Sequence, residues 1–271
     1  KDFRVATDVG GTFTDLVAFG TGPMGGLTVQ TAKAHTTPPD FENGVLNVLA
    51  KAGIDPAEVA FMAHGSTVII NALTERKGAK VGLITTKGFR DVLEIARGNR
   101  PDFFNLHYQK PPPFVPRYLR AEVPGRLTYQ GALRAPLDLS GLPAILDGFR
   151  GHGVEAVAIC LLHAYANPAH EEELLAAVRA HWPEVPVVAS HQITREWREY
   201  ERSNTTVLSA YVQPVAARYL GKLDAGLRAK GLPRAPFIMQ SNCGIDSLAA
   251  TAAVPIAMVE SGPASGFWGA A

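Results

Sequence analysis

The chain has 271 residues, of which 46% are apolar and 19% charged, and 26 basic side chains against 25 acidic ones give a net charge of +1. This composition is typical of a soluble globular protein and excludes intrinsic disorder, collagen-like repeats and a small disulfide-stapled scaffold. The small net charge predicts no general affinity for nucleic acid, and the lack of an apolar run of about 20 residues predicts no membrane span.

Three strands joined as a meander, followed by a helix, are predicted at the start of the chain because short apolar runs alternate with turn residues. The strands are expected at 4–8, 15–19 and 27–34 and the helix at 41–51. A further strand, helix and strand are expected at 61–63, 69–76 and 81–85. This order predicts an α/β fold with some parallel strands and helices covering the sheet.

The stretch from 98 to 136 is rich in proline and has no periodicity, which predicts an irregular surface excursion and not a core element. Regular elements resume with a helix, strand, helix and strand at 142–149, 154–162, 168–182 and 185–190. A long helix is expected at 194–230, and Pro214 should kink or split it. A strand near 236–240 and a helix near 247–253 complete the pattern.

We therefore expect four segments along the chain. Residues 1–97 form a phosphate-loop portion, 98–136 the proline-rich excursion, 137–193 an α/β subdomain, and 194–271 long helices that return to the core. The chain starts without methionine, and 267–271 resembles the first turns of a helix. We expect the N-terminal fragment of a longer protein.

Two further features have simple structural interpretations. Three glutamates at 171–173 follow Pro168 at a helix start, where negative charge complements the helix dipole, so helix capping is favoured over a metal site. Cys160 lies in an apolar run and is expected to be a buried free thiol. With only one other cysteine and no secretory signal, the chain is predicted to be cytoplasmic.

The segment 8–15, DVGGTFTD, carries the strongest chemical signal. It lacks the lysine of a P-loop, and a strand follows it where a dinucleotide-binding loop requires a helix. In a tight hairpin, the amides of Gly10, Gly11 and Thr12 can form a nest for a phosphate, with the hydroxyls of Thr12 and Thr14 as further donors. An ordinary glycine hairpin is the alternative.

Acidic residues flank this loop. Asp8 ends the first strand and can hold a hydrated magnesium ion that bridges to phosphate. Asp15 can do the same or fix the turn.

A second candidate segment follows a predicted strand and opens a helix. His64, Ser66, Thr67 and Asn71 can converge on a substrate carbonyl or phosphate, although a satisfied helix-capping cluster is the alternative. A third candidate lies at 97–100. It is either an anion clamp or a solvated charged turn formed by Arg97, Asn99 and Arg100.

The chain resembles the N-terminal region of the hydantoinase/oxoprolinase family, whose relatives include acetone and acetophenone carboxylase subunits. The resemblance rests on DVGGTFTD at 8–15, HGSTVIINAL at 64–73, ERKGAKVGLITTKGFRDVLEIARGNRP at 75–101, REYERSNTTVLSAYVQP at 198–214, MQSNCGIDS at 239–247 and ESGPASG at 260–266. Two positions depart from the family pattern, namely Ser66, where a second threonine is usual, and Cys243, where glycine is common.

The resemblance implies an RNase H-like half-domain of the actin, sugar-kinase and heat-shock ATPase superfamily, with an additional α/β subdomain. It also implies that a second phosphate loop and the adenosine pocket lie beyond Ala271, so that the fragment alone is inactive and binds ATP poorly.

The activity implied by the resemblance uses ATP and Mg²⁺ to phosphorylate the carbonyl oxygen of a cyclic amide, such as a hydantoin or 5-oxoproline, for ring opening with a B-type subunit in an oligomer. The site residues implied as catalytic are Asp8, His64, Thr67 and Asn71. Those implied in cofactor binding are Gly10, Gly11, Thr12, Thr14 and Asp15, and those implied in substrate binding are Ser66, Arg97 and Arg100.

Three other functions stay open at this point. One is an ATP-dependent ketone carboxylase subunit, which would phosphorylate an enolate. Another is a sugar or metabolite kinase, although the sequence shows no aspartate base in a sugar-binding motif. The third is a non-catalytic regulatory domain, which the intact 8–15 loop disfavours.

Overall fold

The computed structural model describes residues 3–21, 26–98 and 101–264. These residues form two compact units, one containing the described residues up to Gly78 and from Val215 onward, the other containing Ala79–Pro214. The second unit is thus an insertion in the sequence of the first. The boundaries expected at 97, 136 and 193 do not coincide with this division.

A six-stranded sheet forms the first unit. Its strands are β1 Phe3–Val9, β2 Phe13–Thr21, β3 Leu27–His35, β4 Val59–Ser66, β11 Phe237–Met239 and β12 Ile245–Ser247. The order across the sheet is β12-β11-β4-β1-β2-β3. The strands β1, β2 and β3 pair antiparallel as the predicted meander, whereas β4 runs parallel to both β1 and β11.

One face of this sheet is buried because apolar and polar side chains alternate along β1 and β2. The helices of this unit are α1 Glu42–Lys51, α2 Val68–Thr74, α8 Leu248–Ala253 and the part of α7 (Glu199–Ala229) that begins at Val215. The buried side chains of α1 are Val45, Val48 and Leu49. A meander, a helix and then a strand parallel to the first is the order of an RNase H-like half-domain, so the predicted α/β class is confirmed.

The second unit contains a four-stranded parallel sheet of order β10-β9-β5-β6. Its strands are β5 Val81–Thr86, β6 Arg120–Val123, β9 Ala156–Cys160 and β10 Val187–Ala189, and a small separate pair is formed by β7 Arg126–Leu127 and β8 Leu133–Ala135. Its helices, besides the start of α7, are α3 Val92–Ile95, α4 Leu142–Gly151, α5 Ala169–His181 and α6 Ser190–Ile193. Every residue of β5, β9 and β10 is buried, as expected for parallel strands covered on both faces.

Three expectations need correction in this unit. The strand β5 belongs to the inserted sheet and not to a phosphate-loop portion that runs to residue 97. The proline-rich range 98–136 contributes β6 and the buried side chains of Val115 and Leu119 to the core. The sequence did not predict this strand because four residues are too few to show a periodic pattern. The helix α7 continues through Pro214 without a split. Buried side chains such as Tyr211 before the proline and Leu220 after it stabilise the helix.

Glu171 was expected to cap its own helix, and the structure shows a different role. Its carboxylate is fully buried and accepts hydrogen bonds from the Leu161 amide (2.8 Å), the Ser190 hydroxyl (2.6 Å) and the His191 amide (2.9 Å). These partners lie outside α5, so Glu171 connects α5 to the end of β9 and to α6. The prediction of a buried free thiol at Cys160 is confirmed.

Among the described residues, no helix is both long and apolar enough to cross a bilayer. The same residues contain no cluster of three or more histidine, cysteine or acidic side chains that could by itself hold a metal ion.

Candidate functional site

The two candidate segments meet at one edge of the first unit's sheet. In the parallel pairing of β1 with β4, Asp8 lies opposite Gly65 and Val9 lies opposite Ser66. The Thr67 amide donates a hydrogen bond to the Val9 carbonyl at 2.9 Å. Because the carboxyl ends of parallel strands share an edge, the fold places the glycine loop beside the start of α2.

Asp8 is an acidic residue at this edge with one carboxylate oxygen that lacks a partner among the described residues. Its Oδ1 is buried and has no hydrogen-bond partner among the described residues. A Cβ atom at Gly65 would lie 2.8 Å from this oxygen, so the glycine provides the room that the carboxylate occupies. Burial, with a further contribution from the Asp15 carboxylate, raises the pKa of Asp8 above its ordinary value.

Asp15 lies directly across from Asp8 in the antiparallel pairing of β1 with β2. Its half-exposed carboxylate forms an ion pair with Lys33 at 3.0 Å. Both aspartates, with Gly65 and Met239, line a small cavity of about 160 Å³. Asp15 therefore already has a cationic partner, whereas the Oδ1 atom of Asp8 has none in the described part of the chain.

The glycine loop offers fewer free amides than the sequence suggested. The Gly10 amide donates to the Phe13 carbonyl at 2.9 Å and closes the hairpin, so Gly10 does not belong to a phosphate nest. No hydrogen bond within the described part of the chain uses the amides of Gly11 and Thr12. A Cβ at Gly11 would meet no atom within 4 Å, and Thr12 is exposed. The open part of the loop is therefore Gly11–Thr12.

Thr14 is a core residue in the structure and not a phosphate donor. Its side chain is fully buried, and its hydroxyl lies 3.3 Å from that of Thr36, which in turn donates to the Gly10 carbonyl at 2.8 Å. A Cβ at Gly44 of α1 would lie only 2.6 Å from the Thr14 hydroxyl. The alternation along β2 places this residue on the buried face, which the motif alone does not reveal.

His64 lies inside the core. Its Nδ1 atom is 2.8 Å from the Thr7 hydroxyl, and its Nε2 atom is 2.6 Å from the hydroxyl of Tyr219 in α7. Burial lowers the pKa of His64 to about 4, so the ring is neutral at physiological pH. Both ring nitrogens already have partners within the core, so the structure gives His64 no free nitrogen for the predicted contact with a substrate.

Ser66, Thr67 and Asn71 differ in what they can reach. Ser66 is fully buried, its amide lies 3.4 Å from the Ser261 hydroxyl, and its own hydroxyl accepts a bond from an amide in the first turn of α2. That makes Ser66 a structural residue at the helix start. Thr67 and Asn71 are partly exposed, and Asn71 Nδ2 lies 3.4 Å from the Thr67 hydroxyl.

A cavity of about 500 Å³ opens beside the glycine loop. Of the predicted site residues, Gly11 and Asn71 line it, and Tyr219 contributes a wall from α7. The apolar part of the lining consists of Pro38, Pro39, Phe41, Val68, Ala72 and Val215. The charged part consists of Glu42, Glu75, Lys77, Arg218 and Lys222, and the volume suits a small organic molecule.

The clamp predicted at 97–100 lies only partly within the described residues, which include Arg97 but not Asn99. Arg97 belongs to the second unit, where its guanidinium forms an ion pair with Glu201. Arg100 lies outside the described residues, as does the helix start expected at 267–271.

Cys243 lies in the turn between β11 and β12 with φ of 68°, in the left-handed region that favours glycine. This conformation accounts for the glycine that the family pattern has at the position.

Sequence reasoning missed three residues of this site. Thr7 and Tyr219 hold His64, and Arg218 lines the cavity beside Tyr219. Tyr219 lies within the long helix expected at 194–230, and its partner His64 is 155 residues away in the chain. The one local feature of the sequence that could have pointed to Arg218 and Tyr219 is a tyrosine next to an arginine on a helix that faces the core.

Comparison with known proteins identifies the family of the chain. The profile of the hydantoinase/oxoprolinase N-terminal region matches residues 4–182, and the hydantoinase/oxoprolinase profile matches residues 202–271. Caprolactamase subunit alpha of Pseudomonas jessenii is 37% identical over 98% of this chain and 39% of its own length. The acetophenone carboxylase gamma subunit of Aromatoleum aromaticum is 34% identical over 88% of this chain and 34% of its own length.

Solved structures agree with the sequence relatives. The nucleotide-free structure of acetone carboxylase has a TM-score of 0.85 at 26% identity and covers 99% of this chain and 40% of its own. The crystal structure of ATP-dependent caprolactamase from Pseudomonas jessenii has a TM-score of 0.81 at 34% identity and covers 97% of this chain and 39% of its own. The chain thus spans about two-fifths of the length of these proteins. From the profile that covers residues 4–182 and the relatives above, the chain belongs to the hydantoinase/oxoprolinase family.

Proposed function

We propose that this chain provides part of the active site of an enzyme that uses ATP to phosphorylate the carbonyl oxygen of a cyclic amide and so prepares the ring for opening. The observation that carries the proposal is the pair formed by Asp8, with its unpartnered Oδ1, and the open Gly11–Thr12 turn at the same sheet edge. The relatives named as ATP-dependent caprolactamase support the substrate class.

Phosphoryl transfer would proceed with a lactam in the cavity beside the loop. The amide oxygen forms a bond to the γ-phosphorus of ATP while the bond from that phosphorus to the bridging oxygen of ADP breaks. ADP leaves with the electron pair, and the ring becomes an O-phosphorylated iminium whose nitrogen keeps its proton. Such chemistry depends mainly on positioning and on stabilisation of charge, and the residues here serve those two tasks.

The roles of the residues follow from their places. The amides of Gly11 and Thr12 bind phosphate oxygens, because the absence of a side chain at Gly11 lets phosphate approach the backbone. Asn71 orients the ring from the cavity wall. His64 and Tyr219 act as positioning residues that hold β4 and α7 together beneath this site.

The Asp8 carboxylate fits a magnesium ion that ATP brings with it. A buried carboxylate oxygen without a donor is a suitable ligand, and magnesium commonly binds proteins through one or two carboxylates while water and phosphate complete its shell. When bound, the ion neutralises charge on the phosphates.

A partner completes the reaction in this proposal. Ring opening by water would take place with a B-type subunit, and the relatives named as alpha and gamma subunits support an assembly of several chains. A second candidate function is phosphorylation of a ketone enolate for carboxylation, which the likeness to acetone carboxylase supports.

The test uses the full-length enzyme with its partner. Asp8→Asn should lower lactam-dependent ATP turnover by about 10²-fold, because it removes a charge that acts on the transition state. The free energy of unfolding at neutral pH should stay the same or rise, since burial disfavours the charged form of Asp8 in the folded state. Asp147→Asn, at an exposed carboxylate of the second unit, is the control.

Two substrate sets decide between the candidates. ATP consumption with lactams or hydantoins supports amide activation, and consumption that requires a ketone with bicarbonate supports the carboxylase. Phosphorylation of a sugar, or no ATP consumption with any of these substrates, would contradict the proposed function.

A further inference from the structure

Three cations and two carboxylates, those of Glu42 and Glu75, line the cavity beside the glycine loop, and one of the three cations has no ion-pair partner among the described residues. The lysines that line the cavity are paired, since Lys77 lies 2.7 Å from Glu75, and Lys222 lies 2.5 Å from Asp40. Arg218, one helical turn before Lys222 on α7, is an exposed residue, and no ion pair or hydrogen bond joins its side chain to another described residue.

The surroundings of Arg218 favour an anion as its partner. A guanidinium presents five donors in a planar fork that matches a phosphate or a carboxylate. Six of the fourteen lining residues are apolar and two, Glu42 and Glu75, are acidic, so the cation left for an incoming anion among the described lining residues is Arg218. Gly11 belongs to the same lining, and its surface is open, since a Cβ atom there would meet no atom within 4 Å.

We propose that Arg218 is a catalytic residue that binds the phosphoryl group as it passes from ATP to the substrate oxygen in this cavity. The inference rests on the proposed function. A neutral lactam brings no charge into the cavity, whereas the phosphorylated ring carries two negative charges on its phosphoryl oxygens. An arginine placed there interacts most strongly with the state that develops during transfer, and such an interaction raises kcat more than it lowers KM.

The other anion that could occupy this place is a carboxylate on the substrate. It differs from the phosphoryl group in one measurable way, because it would be bound before the reaction as well as after it. Removal of Arg218 would then raise KM for a carboxylated ring and leave a neutral ring unaffected.

The experiment compares Arg218→Gln and Arg218→Lys in the full-length enzyme with its partner. The substrates are a neutral lactam, 2-pyrrolidone, and its carboxylated counterpart, 5-oxoproline. Arg228→Gln is the matched control, because Arg228 is an exposed arginine on the same helix, already paired with Asp224 at 2.8 Å, and it does not line the cavity.

We expect Arg218→Gln to lower kcat by about 10²-fold or more for whichever of the two rings is turned over, with lactam KM changed by less than about threefold. Arg218→Lys should recover part of this loss because it keeps the charge but not the fork. A loss confined to 5-oxoproline and expressed in KM would overturn the proposal in favour of a substrate carboxylate. Equal activity of wild type and Arg218→Gln would also overturn it.

A binding measurement separates this inference from the proposed function. Calorimetry with inorganic phosphate, in the presence of ADP and magnesium, should show a dissociation constant for phosphate at least tenfold larger in Arg218→Gln than in wild type. In Arg228→Gln the constant should be unchanged. If that shift occurs in an enzyme that consumes no ATP with lactams, the phosphoryl site stands and the proposed substrate class fails. If phosphate binding is the same in wild type and Arg218→Gln, the inference fails whatever the substrate.

Discussion

The Nε2 atom of His64 lies 2.6 Å from the hydroxyl oxygen of Tyr219, and this hydrogen bond joins the central strand β4 to the helix α7. On its other side, the imidazole lies 2.8 Å from the Thr7 hydroxyl of β1. All three residues are buried. A neutral histidine can satisfy one partner as donor and the other as acceptor, whereas a protonated ring is a donor at both nitrogens.

The first prediction concerns the stability of the chain at acidic pH. The pKa of His64 is about 4 in the folded state and about 6.5 in the unfolded state. Between these two pH values the histidine is protonated in the unfolded state and neutral in the folded state. The free energy of unfolding should therefore fall as pH drops from about 6.5 to 4, by roughly 3 kcal/mol from this residue. Urea unfolding at several pH values measures it.

His64→Gln should remove that part of the pH dependence while lowering stability at pH 7.5. The exposed His107 provides the control, since His107→Gln should leave the pH profile as in the wild type. An unchanged pH slope in His64→Gln would show that the histidine is not buried in a neutral form.

The second prediction tests the open turn of the glycine loop. Gly11→Ala adds a methyl group that meets no protein atom within 4 Å, so the free energy of unfolding should change by less than about 0.5 kcal/mol. The same methyl group would occupy the space of a phosphate, and KM for ATP should rise at least tenfold. Gly221→Ala, in an open position of α7, should leave KM for ATP unchanged.

The third prediction separates Thr12 from Thr14. Thr14→Val removes a buried hydroxyl bonded to Thr36 and should cost about 0.5–1.5 kcal/mol of stability with no effect on KM for ATP. Thr12→Val, at an exposed position of the loop, should show the reverse pattern. Chemical unfolding and steady-state kinetics on both variants measure it, and a larger kinetic effect in Thr14→Val would return that residue to the phosphate site.

The fourth prediction concerns the buried carboxylate of the second unit. Glu171→Gln places an amide donor against the Ser190 hydroxyl or the His191 amide and should lower the free energy of unfolding by about 2–5 kcal/mol. Glu172→Gln, one residue further along the same helix turn and exposed, should change it by less than about 0.5 kcal/mol. Similar losses in the two variants would support a helix-dipole role for both glutamates.

Local sequence determined much of the first unit. The alternation of buried and exposed residues in β1 and β2 is fixed by the side-chain period of a strand, so the meander and the position of Asp8 at a strand end are readable without a fold. The paired glycines likewise mark a hairpin that leaves Gly11 open. These features depend on neighbours a few residues apart, and sequence order preserves that proximity.

Tertiary structure decided what the side chains at that hairpin can do. Thr12 and Thr14 are equivalent donors in the motif, yet the fold buries one and exposes the other. His64 resembles a catalytic base in its segment, but Thr7 and Tyr219 occupy both of its nitrogens. The physical reason is that burial and hydrogen-bond partners come from segments far apart in the chain. The sequence by itself determines the position of a polar group along a strand. Only packing determines whether that group contacts water, a ligand or another side chain.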